Sequence, residues 1–262
     1  LVDFKDVAEE ARRFLALPHP EPEKTRTPTG STSSSVPGSP EASRRLFAMA
    51  QPIHGTLAAI YLNGRAITSL SDTTALRYHP RCYYRPDESS PTEIRPALVA
   101  AVTDLAGQQT GAHRTWLAPD GSGKAAVETP RRAMGVLLGH AVRFGTAAEV
   151  LAAGEGIETV LSPRQVLPRM PMLAALSAAH LAAILFPPSL RRLYVVRDRD
   201  PAGDGARDGL AARAESLGIE AMSLTPLNGD FNDDLRRHGA DALRARLKDQ
   251  LHPEDVRRFM ER

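Results

Sequence analysis

The chain has 262 residues, with 33 Lys and Arg against 31 Asp and Glu, so a net charge of +2 excludes any partner argument from charge total alone. Hydrophobic residues at 42% exclude wholesale disorder, and a single cysteine, Cys82, excludes a disulfide framework and any cysteine-rich zinc ribbon within the chain. No basic and apolar leader opens the sequence, and its longest apolar stretch, 172–186, is broken by Ser177 and His180 and too short for a membrane span. A cytoplasmic protein of a reducing compartment, without membrane association, is expected. The chain opens on Leu1 rather than Met, as expected of a fragment preceded by a further part.

Apolar Phe4, Val7, Ala8, Ala11, Phe14 and Leu15 follow helical spacing, which predicts an amphipathic helix over 1–17 of the kind that belongs to a preceding domain. From Pro18 to Pro40 the composition turns to Pro, Ser, Thr and Gly, the signature of a flexible linker. Helices are then predicted from about Pro40 to Ala50, with Glu41 in the first turn, and over 54–63, stopping near Gly64. Short strands follow at 76–79, 97–103 and 113–117. The last leads through Pro119-Asp120-Gly121 into 124–128, a hairpin signal that would set Arg114 and Lys124 on facing arms. The run Asp120-Gly121-Ser122-Gly123-Lys124 hints at a phosphate loop, but Ala118 stands at its first glycine and Ala125 at its hydroxyl position, so a turn is expected. These elements make a small α+β subdomain over 41–145.

After Gly145 the rhythm changes. Strand patterns at 147–153, 170–176, 190–196 and 219–224 alternate with helix patterns at 157–167, 178–185, 203–217 and from Asp233. Such alternation indicates an α/β fold with a mostly parallel sheet over 146–240, whose functional groups gather beyond the C-terminal strand ends. The stretch 241–262 reads as a C-terminal amphipathic helical segment covering a sheet edge.

Those strand ends are acidic. The first runs into Gly154-Glu155-Gly156-Ile157-Glu158, the third into Arg197-Asp198-Arg199-Asp200, and the fourth into Gly229-Asp230-Phe231-Asn232-Asp233-Asp234. An Asp-x-Asp on extended backbone sets both carboxylates on one side, where they share a hard divalent cation. Two such ions about 4 Å apart clamp the attacking and leaving oxygens of a phosphoryl displacement. Each cluster alone has an ordinary explanation: surface charge, a tight turn, or an N-cap for the last helix. Their conjunction after three strands of one block points to a metal-dependent phosphate site.

These motifs resemble those of the Toprim domain, the catalytic fold of bacterial-type DNA primases, topoisomerases and some nucleases. The resemblance implies that Glu155 is the general acid/base, that Asp198 and Asp200 bind Mg²⁺ or Mn²⁺ in a two-metal arrangement, and that Asp230 joins them. The next acidic position of the late motif is matched by Asn232, with Asp233 beside it as the alternative ligand. Glu158 falls where the family often carries an acid, and serves equally as a first-turn helix carboxylate. Upstream, Tyr61-Leu62-Asn63-Gly64-Arg65-Ala66-Ile67 is similar to the segment opening the primase polymerase core, with Ala66 where glycine is usual. The segment 111–124 resembles the strand pair before Toprim in primase-like proteins of mobile elements and phages. The zinc-ribbon module that such proteins carry to read template has no cysteines here, so no zinc is expected in this chain.

The middle region interleaves Arg65, Arg77, Arg81, Arg85, Arg95, Arg114, Lys124, Arg131, Arg132 and Arg143 with Tyr83, Tyr84 and Trp116. Cations for phosphates and aromatics for bases are the ingredients of a single-strand groove. Arg65, Arg114, Lys124, Arg131 and Arg132 are the candidate nucleic-acid or nucleotide contacts. The expected activity is therefore a primase-type nucleotidyltransferase that takes single-stranded DNA template and nucleoside triphosphates. The alternatives are a Toprim nuclease using the same acids and a catalytically silent DNA-binding module. No helicase motif is present, so unwinding is expected from a separate helicase or from the missing N-terminal part.

Overall fold

The structure, a computed structural model, describes residues 38–261 apart from 71, 72, 88, 199 and 200, and omits the side chains of 201–204, 206 and 207. The expected opening helix, most of the linker and Asp200 lie outside these residues.

The first sheet is antiparallel, with β1 (Leu76–Tyr84), β2 (Glu93–Thr103), β3 (Gln109–Trp116) and β4 (Arg131–Gly135) side by side in that order. Period-two alternation gives it two apolar faces. Leu98, Ala100, Val102 and Leu117 enter the main core, joined by Tyr61 and Leu62 of helix α2 (Leu57–Asn63). Ala97, Val99, Ala112 and Trp116 turn the other way, beneath Leu46 and Phe47 of helix α1 (Pro40–Met49). The Ser39 hydroxyl accepts from Ala42 N at 3.2 Å and Pro40 follows it, so α1 starts with its first-turn donors served.

An extra residue in β1 between His79 and Cys82 reverses its parity. Leu76 and Tyr78 face the main core before it; Cys82 and Tyr84 face α1 after it. Tyr83 is thereby turned to the same side as its partner Ile94, and the pair stands 69% and 48% exposed.

The second sheet has the order β5-β7-β6-β8-β9. Strands β6 (Val150–Gly154), β7 (Met172–Ala174), β8 (Arg192–Val196) and β9 (Glu220–Leu224) are parallel, and β5 (Val142–Phe144) closes one edge antiparallel to β7. Helices α3 (Ile157–Arg164), α4 (Ala178–Ala182), α5 (Pro201–Ser216), α6 (Phe231–Lys248) and α7 (Pro253–Met260) cover it. Ala152, Tyr194 and Val196 pack with residues of α3, α6 and α7, whereas Leu151, Ala153, Leu193 and Val195 pack with Leu181, Leu210 and Ala214 of α4 and α5. Every residue of β6 is buried, as a strand covered on both faces requires. Thr103 and Ala141 exchange backbone hydrogen bonds of 2.9 and 3.2 Å, which joins the two sheets.

The mostly parallel α/β arrangement after a smaller α+β region is as expected, but three details differ. β5 belongs to the second sheet although it precedes residue 146; three residues are too few to show a strand period. The turn after β3 makes only one bridge, Leu117 with Lys124, and the true partner of β3 is β4. Finally, α6 runs through residue 241 with a backbone break at Gly239 (φ 80°), and α7 is a separate helix whose Val256, Phe259 and Met260 enter the main core rather than cover an edge. Asp255 locks α7 down, accepting from Arg192 Nη1 at 2.8 Å and Tyr194 OH at 2.7 Å. No helix among the described residues is long and apolar enough to cross a membrane.

Candidate active site

Gly154, Val196 and Leu224 are paired in register across β6, β8 and β9, so these strands end level. Neighbouring strands run about 5 Å apart, and their loops therefore leave side by side from one edge. Glu155 follows β6 directly, Asp198 follows β8 after one intervening residue, and Asp230 caps α6 after the loop from β9. Gly154 makes the first turn feasible: a Cβ there would meet Val160 Cγ2 at 2.8 Å and Val196 Cβ at 3.1 Å.

The late motif separates into different tasks. Asp230 Oδ1 accepts from Asp233 N at 2.7 Å and so caps α6. Asp233 is half-buried. Asp234 is buried and accepts from Leu227 N (2.6 Å), Asn228 N (2.8 Å) and Asn228 Nδ2 (2.7 Å), which shapes the loop before Asp230. Asn232 is also buried; its Nδ2 donates to Arg65 O (2.8 Å) and Ser162 Oγ (3.0 Å), and its Oδ1 accepts from Arg65 Nη1 (3.2 Å).

Among the described residues no group of three or more His, Cys, Asp or Glu side chains stands close enough to hold an ion unaided. The donor chemistry at the edge is all carboxylate oxygen, which suits Mg²⁺ or Mn²⁺ completed by water and phosphate, and not the nitrogen and sulfur preference of structural zinc.

A second cluster borders this edge. Glu158, in the first turn of α3, accepts a hydrogen bond from the Tyr61 hydroxyl and lies 3.6 Å from Lys124 Nζ. Burial acts to raise the Glu158 pKa, but Lys124, the Tyr61 hydroxyl and Arg65 together hold it below the usual carboxylate range. Burial lowers the Lys124 pKa, with Glu158 opposing that shift. Burial and then the Glu158 charge push the Tyr61 phenol upward. His113, on the same sheet face, is pushed down to about 4, chiefly by burial. The Arg65 guanidinium lies 5.1 Å from the centre of the Tyr61 ring.

The five candidate cations are thus divided. Lys124, Arg131 and Arg65 act electrostatically on one another's surroundings on the face turned to α3. Arg114 instead stacks on Trp116 at 5.0 Å, on the α1 face, with Arg132 beside it. Arg132 donates to Arg85 O (2.6 Å) and to Pro86 O. Arg114 and Lys124 are therefore not the facing pair that the hairpin reading expects. Lys124 lies opposite Leu117, whose side chain enters the main core, and alternation sends Arg114 to the reverse side. The glycine-rich run before Lys124 is a turn: Asp120 Oδ1 accepts from Ser122 N at 2.9 Å, and Gly121 takes φ 75°. Tyr61, Ser162 and the clasp made by Asn232 escaped the sequence reading. Their partners are 70 to 167 positions away, and no local pattern marks such pairs.

Comparison with known proteins agrees with this fold. Residues 37–144 match a domain of unknown function (DUF7146), and residues 150–241 match the Toprim domain. No curated protein matches the chain. Among solved structures, the Aquifex aeolicus primase (zinc-binding and RNA polymerase domains) is similar at TM-score 0.58 and 14% identity, over 95% of this chain and 67% of that one. A DNA primase domain from Pseudomonas aeruginosa is similar at 0.56 and 15%, over 80% and 78%. The RNA polymerase domain of Mycobacterium tuberculosis primase, in complex with double-stranded DNA, is similar at 0.52 and 18%, over 79% and 78%. The chain thus carries a Toprim domain over residues 150–241, and its two sheets share the fold of the solved primase domains.

Proposed function

We propose that the chain is a primase-like nucleotidyltransferase that joins nucleoside triphosphates on a single-stranded DNA template. The observation that carries this reading is the seam between the sheets. The helices that begin at the acidic strand ends are clasped by Tyr61, Glu158 and Asn232 to the region that bears Arg65 and Lys124. Carboxylates for cations and cations for phosphates thus border one another, as triphosphate chemistry requires.

Mg²⁺ or Mn²⁺ held by Glu155, Asp198, Asp200 and Asp230 would neutralise triphosphate charge, with Asp233 as the further carboxylate beside them. Glu155, one residue beyond the end of β6, is assigned as the base that accepts the proton of the attacking hydroxyl. Lys124 keeps its ammonium next to Glu158, and an entering phosphate competes with that carboxylate for it. Arg65 offers a planar fork suited to two phosphate oxygens. Arg131 extends the positive surface along β4 for the template backbone. Arg114 and Arg132 lie on the α1 face and hold the first sheet together there.

The test is a paired assay with Mg²⁺ or Mn²⁺: labelled nucleotide incorporation on single-stranded DNA, and cleavage of labelled DNA, each with Asp198→Ala alongside. Incorporation lost in the variant is the expected result. Cleavage without incorporation would move the chain to the nuclease reading. Neither activity, with DNA binding unaltered by the substitution, would leave a binding module.

A further inference from the structure

The contacts of Asn232 form part of a closed circuit. The Tyr61 hydroxyl donates to Glu158; the Ser162 hydroxyl donates to Glu158 O at 2.8 Å; Asn232 Nδ2 donates to Ser162 Oγ at 3.0 Å and to Arg65 O at 2.8 Å; Arg65 Nη1 donates to Asn232 Oδ1 at 3.2 Å and its guanidinium lies against the Tyr61 ring. The circuit joins the end of α2 to the first turns of α3 and α6, the two helices that begin beside Glu155 and Asp230.

The circuit dictates an amide at position 232. Ser162 spends its one hydroxyl proton on Glu158 O, so its oxygen can only accept, and the Arg65 carbonyl can only accept. Both demand donors, and the Arg65 guanidinium demands an acceptor. An Asn side chain supplies two donors and one acceptor in that geometry. An ionised Asp supplies acceptors only and would set an oxygen against the Arg65 carbonyl. Asn232 is 2% exposed and Ser162 fully buried, so water cannot fill a missing partner without rearrangement. The amide takes one hydrogen bond from Arg65 Nη1, and the same guanidinium lies against the Tyr61 ring within reach of its hydroxyl. A guanidinium carries five N–H donors, more than these two partners take up, and the surplus can serve an anion.

We propose that Asn232 is a positioning residue: its amide holds Arg65 beside the acidic strand ends so that the Arg65 guanidinium grips the phosphates of a nucleoside triphosphate. This rests on the nucleotidyltransferase reading above. It assigns Asn232, at the place where the Toprim motif has an acid, to the phosphate-binding arm instead of the metal set.

The test measures binding of mant-ATP with Mg²⁺ by fluorescence, binding of Mn²⁺ alone by electron paramagnetic resonance, and KM against kcat for incorporation, in wild type and Asn232→Asp. The expected result is mant-ATP affinity weakened by about tenfold, KM raised in parallel with kcat within about threefold, and Mn²⁺ affinity unchanged. Arg65→Lys, which keeps the charge without the fork, should weaken mant-ATP similarly, and the double variant no further, because both act through one contact. Should Asn232→Asp unfold, Ser162→Ala removes one of the three amide partners and should weaken mant-ATP by about threefold in a protein that still folds, with a lowered thermal midpoint. Tighter Mn²⁺ binding in Asn232→Asp would place position 232 at the metals and overturn the proposal. Unchanged mant-ATP affinity in that variant, with loss in Arg65→Lys, would overturn it while sparing the nucleotidyltransferase reading. Failure of wild type to bind mant-ATP would overturn both.

Discussion

The two sheets sort their charged residues by different rules. In the antiparallel sheet, neighbouring side chains alternate across the faces, so cations close in sequence part company: Arg131 faces α3 while Arg132 faces α1. In the parallel sheet, β6, β7 and residues 193–196 of β8 are apolar on both faces, and acids far apart in sequence follow the strand ends along one edge. An antiparallel sheet distributes its charge by face and a parallel sheet collects it by end. The proposed site lies where one face of the former borders one end of the latter.

That contrast can be broken first at the acidic edge. Asp198→Ala is expected to reduce metal-dependent incorporation by about a thousandfold or more, with the thermal midpoint held near wild type. Incorporation within tenfold of wild type would show that the edge is not the reacting centre.

The next largest effect is a pH response of the seam. His113 has its folded pKa depressed to about 4, below an unfolded value near 6.5, so the unfolded chain takes up the proton first. Stability is then full above about pH 6.5 and falls as pH drops toward 4, by about 3 kcal/mol from this group. Glu158, with its pKa also lowered, contributes stability above its unfolded pKa that is lost as the pH falls through the folded one. Denaturant titrations at pH 7, 5.5 and 4.5 should show this decline, and His113→Gln should flatten its upper part. An equal slope in both proteins would remove His113 as the cause.

A comparison of faces sharpens the contrast further. Lys124→Ala should weaken triphosphate affinity by about tenfold, as expected for loss of a phosphate-binding cation, whereas Arg132→Ala should change it by less than about threefold. Equal losses would mean that the cations act as one surface regardless of face. At the exposed end of the α3-facing side, Tyr83→Ala should weaken single-stranded DNA binding by about tenfold or less through a lost base stack, leaving triphosphate affinity alone. A change in triphosphate affinity instead would place Tyr83 nearer the reacting centre than its exposure suggests.

How far each feature could be read from the chain follows the same physics. The strong strands at β6, β8 and β9 and their acidic ends are local patterns: a run of apolar residues, a glycine, a carboxylate. Elements lost to that reading are those without a pattern of their own. β5 has three residues and exists only because β7 offers it an edge; β4 looks like a loop until β3 pairs with it. The bulge in β1 is one extra residue, invisible as composition, yet it decides that Tyr83 faces the seam side and Cys82 the α1 side.

The sequence by itself determined the chemistry available: which acids follow which strands, that the donors are oxygens and not thiolates, and that cations and aromatics precede them. Tertiary structure alone decided how those groups are used. Arg114 and Lys124, ten residues apart, were separated because a strand sends alternate side chains to opposite faces. Lys124 and Glu158, and likewise Arg65 and Asn232, were joined because packing of α2, α3 and α6 on a shared core brings distant segments within hydrogen-bond reach. Buried donors and acceptors must find partners wherever the fold places them, and that demand, more than any motif, gives Asn232 its place.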